Sequence, residues 1–141
     1  MTEIMFTIPG EPTGQGRPRF STSGGFAKAY DPAKSRNYKA FTRLVALQTA
    51  KKINWECCEE PVSVTIKAYL GIPSSATKKF KAAAMDMAVY PTKKPDVDNI
   101  FKSVTDALSG IIYKDDKQIV RSTITKNYSD LPRVEVFVQI I

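Results

Sequence analysis

The apolar residues recur with two different periods along the chain, and the period decides the element in each stretch. Residues 3–8 alternate closely enough for a strand, which Pro9-Gly10 ends. Residues 60–72 alternate strictly, with Val62, Val64, Ile66, Ala68 and Leu70 on one side, and predict a strand with one buried face. The run from Lys117 to Lys126 and the series Val134, Val136, Val138, Ile140 predict two final strands, expected to pair as an antiparallel hairpin joined through Tyr128 to Pro132.

Helical spacing takes over elsewhere. Asp31-Pro32 reads as the N-cap and first helical position of a helix that runs to about Lys52. Phe41, Leu44, Val45 and Gln48 would lie on one side of it, with Ala40 and Leu47 beside them and Arg36, Lys39 and Arg43 on another side. That basic stripe suits either nucleic acid or solvent. Pro73-Ser74-Ser75 opens a short helix through Lys78, Lys79, Phe80 and Lys81 to about Met87. Ile100, Phe101, Val104, Ala107, Leu108 and Ile111 then keep the i, i+3, i+4, i+7 spacing. They predict a helix that starts near Asp98, its fitting N-cap, and stops at Gly110. Its opposite stripe carries Asp98, Lys102, Thr105 or Asp106, and Ser109. Residues 10–25 hold five glycines and two prolines around Gly16-Arg17-Pro18-Arg19-Phe20 and read as a loop or long hairpin connection. The order of elements predicts one α+β domain over residues 1–141, a mixed β-sheet with helices packed on it.

Composition narrows the chemistry. The chain has no histidine, which removes Ser-His-Asp and Cys-His hydrolases and histidine-ligated zinc enzymes and leaves carboxylates, lysine and an oxygen-bound metal as the hydrolytic tools. Its two cysteines, Cys57 and Cys58, are adjacent and suit neither a disulfide framework nor a four-ligand zinc site. No apolar run reaches the length of a membrane span and the opening residues carry no basic leader, so a cytoplasmic location and no membrane partner are expected.

The net charge of +7 is unevenly placed: nine basic and three acidic residues precede Ile53, whereas five of the fourteen acidic residues fall within residues 93–118. A basic region beside an acidic one suits a polyanion held by the first and acted on at the second. Arg17 and Arg19, flanking a proline in a loop, can reach phosphates bidentately. Asp96 and Asp98, two apart on extended chain, can point to one side, and Asp115-Asp116 follow the helix turn and can return one carboxylate toward them. Two or three carboxylates with waters hold Mg²⁺, which completes its shell with substrate phosphate oxygens. Lys102, one turn after Asp98, is placed to offset charge on a phosphate. By spacing alone, Asp-x-Asp also reads as a capped helix and Asp-Asp as a turn, and Lys102 also reads as a partner of Asp98 or Asp106.

Lys94-Pro95-Asp96-Val97-Asp98-Asn99-Ile100-Phe101-Lys102, then Asp106-Ala107-Leu108, then Tyr113-Lys114-Asp115-Asp116-Lys117-Gln118-Ile119, resembles the RusA family of Holliday junction resolvases. Gly16-Arg17-Pro18-Arg19-Phe20 matches that family's N-terminal loop, and Asp31-Pro32-Ala33-Lys34 the opening of its first helix. The resemblance implies a homodimeric, Mg²⁺-dependent endodeoxyribonuclease of bacterial or phage origin, with Mn²⁺ as a possible substitute and no small-molecule cofactor. Such an enzyme nicks opposing strands of a four-way DNA junction in recombination and repair. The resemblance assigns Asp96, Asp98 and Asp116 as metal ligands and Lys102 as the catalytic lysine. Asp115 is left as an alternative ligand or a neighbour supporting the ligands, and Asp106, by its spacing to Lys102, is read as structural. Arg17, Arg19, Arg36, Lys93 and Lys94 are the expected DNA contacts. A nuclease for other branched DNA or RNA, and a noncatalytic nucleic-acid-binding protein, are the alternatives carried forward.

Overall fold

The computed structural model describes residues 2–25, 27–30 and 32–141. Its centre is a four-stranded sheet ordered β1-β6-β4-β5, built from β1 (Glu3–Pro9), β4 (Val62–Gly71), β5 (Ile119–Ser129) and β6 (Arg133–Ile140). The short strands β2 (Arg19–Ser21) and β3 (Lys28–Tyr30) form a separate antiparallel hairpin that starts inside the predicted loop at residues 10–25 and ends beyond it. Among the described residues, three α-helices complete the fold: α1 (Ala33–Ile53), α2 (Lys78–Met85) and α3 (Val97–Leu108). The expected α+β domain with a mixed sheet is the fold observed.

The strictly alternating strand takes the middle of the sheet. Val62, Val64, Ile66, Ala68 and Leu70 are all buried on the face toward the helices, where they join Ile4, Ile8, Val134, Val136 and Val138 in one core. From α1 and α3 the same core receives Ala46, Ala50, Ile100, Val104 and Leu108. Burying a valine or leucine side chain contributes ~1.5–3 kcal/mol. One continuous layer of such residues therefore holds both helices to the sheet.

The final pair of strands departs from expectation. β5 and β6 do not form a hairpin: β4 lies between them, parallel to β5 and antiparallel to β6. A parallel pair needs a long crossover, and the chain between β4 and β5 supplies it as α2 and α3. The more apolar β4 is flanked on both sides, while β5, carrying exposed Arg121, Ser122 and Thr123, becomes an edge. This crossover sets α3 next to β5.

The register of α1 also differs. Asp31 lies outside the described residues, and the helix begins at Ala33 with Pro32 as its cap. Its buried residues are Ser35, Thr42, Ala46 and Ala50, whereas Phe41, Leu44 and Leu47 are 40%, 51% and 41% exposed. Small residues let α1 approach the rest of the core closely. The larger apolar side chains consequently form a stripe on its outer side. Thr77, not the Pro73 turn, caps α2 by accepting a hydrogen bond from the Phe80 amide.

Candidate active site

Helix α3 opens one residue earlier than the apolar spacing suggests. Asp96 is its N-cap and makes no capping hydrogen bond with its side chain, and Asp98 stands in the first turn. The positive end of the helix favours an anion at both positions. Ile100, Val104, Ala107 and Leu108 are buried beneath, which turns Asp98 and Lys102 outward. Thr105, expected on the outer stripe, is buried, and its hydroxyl donates to the Phe101 carbonyl at 2.8 Å.

Asp116 reaches this helix through a bracketed turn. Asp115 accepts a hydrogen bond from the Lys117 amide at 2.9 Å, and the Gln118 side chain accepts one from the Asp115 amide at 2.9 Å. This reciprocal capping box fixes the single 3-10 turn Asp116–Gln118. Gln118 Nε2 also donates to the carbonyls of Cys58 and Glu60, at 2.9 and 3.0 Å. Trp55 Nε1 donates to the Ile112 carbonyl at 2.9 Å, and the fully buried Tyr113 donates its hydroxyl to the Thr105 carbonyl at 2.7 Å. Segment 55–60 and α3 thus clamp the return of the chain from both sides. Neither Cys57 nor Cys58 is in a disulfide.

A groove of about 530 Å³ results, lined by Asp98, Lys102, Thr105 and Asp116 together with Val97, Phe101, Ile119, Ser122 and Ile124. A β-bulge, where Val62 pairs with Ile119 but Ser63 with Arg121, immediately follows the turn carrying Asp116. Asp116 is pushed above the ordinary aspartate range, first by partial loss of water, then by its hydrogen bond to Asp115 and by the charges of Asp115 and Asp106, with Lys102 opposing. Asp115 moves the other way, held down chiefly by the Lys117 amide. Burial, with the charges of Asp116, Asp106 and Asp115, raises Tyr113 and keeps its hydroxyl protonated as a donor.

Asp96 lines a second, neighbouring groove of about 610 Å³ with Arg17, Lys34, Lys94, Ser35 and Asn99. The loop carrying Arg17 is fastened to the starts of both long helices. The Gln15 amide donates to the Asn99 carbonyl at 2.9 Å, and the Gly16 amide donates to Ser35 Oγ at 2.8 Å. A Cβ on Gly14 would stand 2.9 Å from that of Pro95, and one on Gly16 would stand 2.8 Å from Ser35 Oγ. Only glycine allows this approach.

The expected site residues therefore fall into groups. Asp98, Lys102 and Asp116 share one groove, and Asp96, Arg17 and Lys94 share the next. Among the described residues, no three acidic or thiol groups are gathered closely enough to enclose a metal ion by themselves. Two carboxylates in one groove, one of them crowded by like charges, still form a hard oxygen donor set of the kind Mg²⁺ uses alongside water and phosphate oxygens. Lys93 lies outside both grooves, its ammonium 6.0 Å from the centre of the Tyr128 ring. Arg36 is exposed on α1, and the side chain of Arg19 lies outside the described residues. Arg43 leaves the basic stripe altogether, donating to the Ala107 and Ser109 carbonyls, both at 3.0 Å, at the end of α3. Sequence reading missed Lys34, Trp55 and Gln118. The run Trp55 to Glu60 has no periodicity, and only its hydrogen bonds disclose its role.

These features define a small α+β domain that presents a carboxylate-and-lysine groove beside a basic loop. The chain belongs to the RusA endodeoxyribonuclease family: the family model described as Endodeoxyribonuclease RusA matches residues 9–139. It is also 45% identical over 138 residues to the uncharacterized protein YqaN of Bacillus subtilis (strain 168), covering 96% of this chain and 95% of that one. The resemblance carried by the aspartate motifs is thereby borne out at the level of family and of nuclease class. No helix among the described residues is long and apolar enough to cross a membrane.

Proposed function

We propose that this protein is a Mg²⁺-dependent, structure-selective endodeoxyribonuclease that resolves four-way DNA junctions by paired nicks in recombination and repair. The observation that carries the reading is the meeting of Asp98, Lys102 and Asp116 in one groove on a chain of the RusA family. Asp98 and Asp116 would hold the metal, with Asp96 supplying a third carboxylate from the adjoining groove. When bound, Mg²⁺ contributes charge stabilisation at the phosphate and lowers the pKa of a bound water.

The chain's own residues account for the rest. Lys102 offsets the negative charge that develops on the phosphoryl oxygens. Arg17, Lys34 and Lys94 receive the neighbouring phosphates and set the position of the strand. Asp115 positions Asp116 through the capping box, and Asp106 positions Lys102.

A four-way junction offers two equivalent strands, which suits a two-fold homodimer. The stripe of Phe41, Leu44 and Leu47 on α1 is an apolar surface that a second copy would cover.

The test is cleavage of a synthetic four-way junction with and without Mg²⁺ by the wild type and Asp96→Asn. Metal-dependent paired nicks are expected from the wild type, and binding without cutting from the variant. Full cleavage by Asp96→Asn would take Asp96 out of the ligand set, and full cleavage by Asp98→Asn and Asp116→Asn as well would remove the assignment. Flap and linear duplex substrates at the same salt concentration decide whether the preferred branch is the four-way one.

A further inference from the structure

The groove that holds Asp98, Lys102 and Asp116 has a second wall for which phosphodiester hydrolysis has no use. Val97, Phe101, Ile119 and Ile124 line it, and Ser122 adds a hydroxyl. Val97 is 42% exposed, and Phe101 is half-buried, packed on the core beneath while it lines the groove. Charged and apolar groups alternate along the first turns of α3: Val97 beside Asp98, Phe101 beside Lys102. Both walls therefore face one space.

From this wall we infer a binding site for an unstacked nucleobase, that of the nucleotide next to the cut phosphate. The inference rests on the nuclease reading above. With a phosphate seated at Lys102 and at the cation that the two carboxylates would hold, its nucleoside has the adjoining apolar lining within reach. A groove of about 530 Å³ is within the ordinary range for a small-molecule site. An aromatic ring flanked by aliphatic side chains accepts any base by stacking, and the Ser122 hydroxyl can meet a base edge as donor or acceptor. A base within an intact duplex cannot reach the wall, whereas one beside a branch point loses little by leaving its stack. The site thus turns a structural property of the substrate, an already strained base step, into selectivity for the phosphate beside it.

The test uses a four-way junction with 2-aminopurine at the nucleotide adjoining the cut phosphate, titrated with full-length protein in the absence of divalent metal. Emission should rise on binding, because the base leaves its neighbours, and should stay constant when the probe is moved into an arm. Phe101→Ala should lose that rise and cut the junction about tenfold more slowly, the scale of one base–aromatic contact. Phe101→Trp should restore both, and the outward-lying Val97→Ser should weaken both if Phe101→Ala proves too unstable to assay. Wild-type protein that cuts the junction while leaving the emission unchanged would overturn this inference and leave the nuclease reading standing. Protein that neither binds nor cuts the junction would overturn both. Conversion of the Val97 or Phe101 variants from dimer to monomer, with the emission rise retained, would assign the wall to a second copy of the chain and overturn the proposal.

Discussion

Lys102 Nζ lies 3.4 Å from Asp106 Oδ2 one helical turn further along α3, and Lys39 of α1 approaches the same oxygen at 3.7 Å. Asp106 thus tethers the lysine that lines the carboxylate groove. Exposed i, i+4 ion pairs contribute only ~0.3–0.5 kcal/mol, so the relationship matters for placement more than for stability. Asp106→Asn should leave the melting temperature nearly unchanged and lower kcat on a junction without weakening binding. Lys102→Ala should cost more, about 10²-fold in kcat, because the charge itself is lost. Equal kcat values for wild type and Asp106→Asn would show that the tether is dispensable.

Mg²⁺ should stabilise the fold through the Asp98–Asp116 groove, by about 2.7 kcal/mol at a concentration 100 times its dissociation constant. Thermal melts of the wild type and of Asp98→Asn and Asp116→Asn, each with and without the ion, check this. The shift should vanish in both variants.

That stabilisation should depend on pH through Asp116, whose carboxyl is raised by partial dehydration, its hydrogen bond to Asp115 and nearby negative charge. A folded value above the unfolded one means that the proton favours the fold. The contribution is present below the unfolded value and is lost as pH rises through the folded one. Mg²⁺ competes with this proton, so the metal-induced rise in melting temperature should fade on acidification at a higher pH than an ordinary aspartate would give. Asp115→Asn keeps an oxygen for the cap and removes the neighbouring charge, and should move the fade to lower pH. Melting curves collected across the acidic range with and without Mg²⁺ make the measurement.

Tyr113→Phe removes the hydroxyl that donates to the Thr105 carbonyl at 2.7 Å while leaving the buried ring in place. The cost in stability should be about 1 kcal/mol, the net worth of one hydrogen bond. Because this bond ties the Asp115-Asp116 turn to α3, kcat should fall further than the stability loss explains while junction affinity stays close to wild type. Denaturant titration and single-turnover cleavage separate the two effects.

Leu44, 51% exposed at the middle of the apolar stripe on α1, should carry the dimer. Leu44→Asp should leave the monomer folded, since the side chain is outside the core, and shift the mass measured by light scattering from two chains to one. Paired nicks should then become single nicks. A dimer that persists in Leu44→Asp would place the interface elsewhere.

The sequence by itself determined the elements whose pattern is strong in both period and chemistry. Strict alternation at residues 62–70 marked the central strand and its buried face, and the spacing of Ile100, Val104 and Leu108 marked the buried side of α3. Asp96, Asp98, Lys102 and the Asp115-Asp116 pair stood out because carboxylates crowded in a basic chain need a reason to be there. The bulk order of strands and helices likewise identified an α+β domain. Each of these is a local property, since it depends on which residues stand next to one another along the chain.

Only the tertiary structure decided what depends on distant partners. β5 and β6 looked like a hairpin because three residues join them, yet β4 is inserted between them through pairings to both. The large apolar residues of α1 do not mark its buried face, because close approach to the core selects Thr42, Ala46 and Ala50 instead. Arg43, read as part of a surface stripe, is used at the end of α3. The site was divided in the same way: the crossover sets Asp98 and Asp116 across one groove, and the glycine loop carries Arg17 to Asp96 in the next. The sequence listed the charged groups, but their grouping follows from a parallel strand pair and two close backbone approaches, which no local pattern encodes.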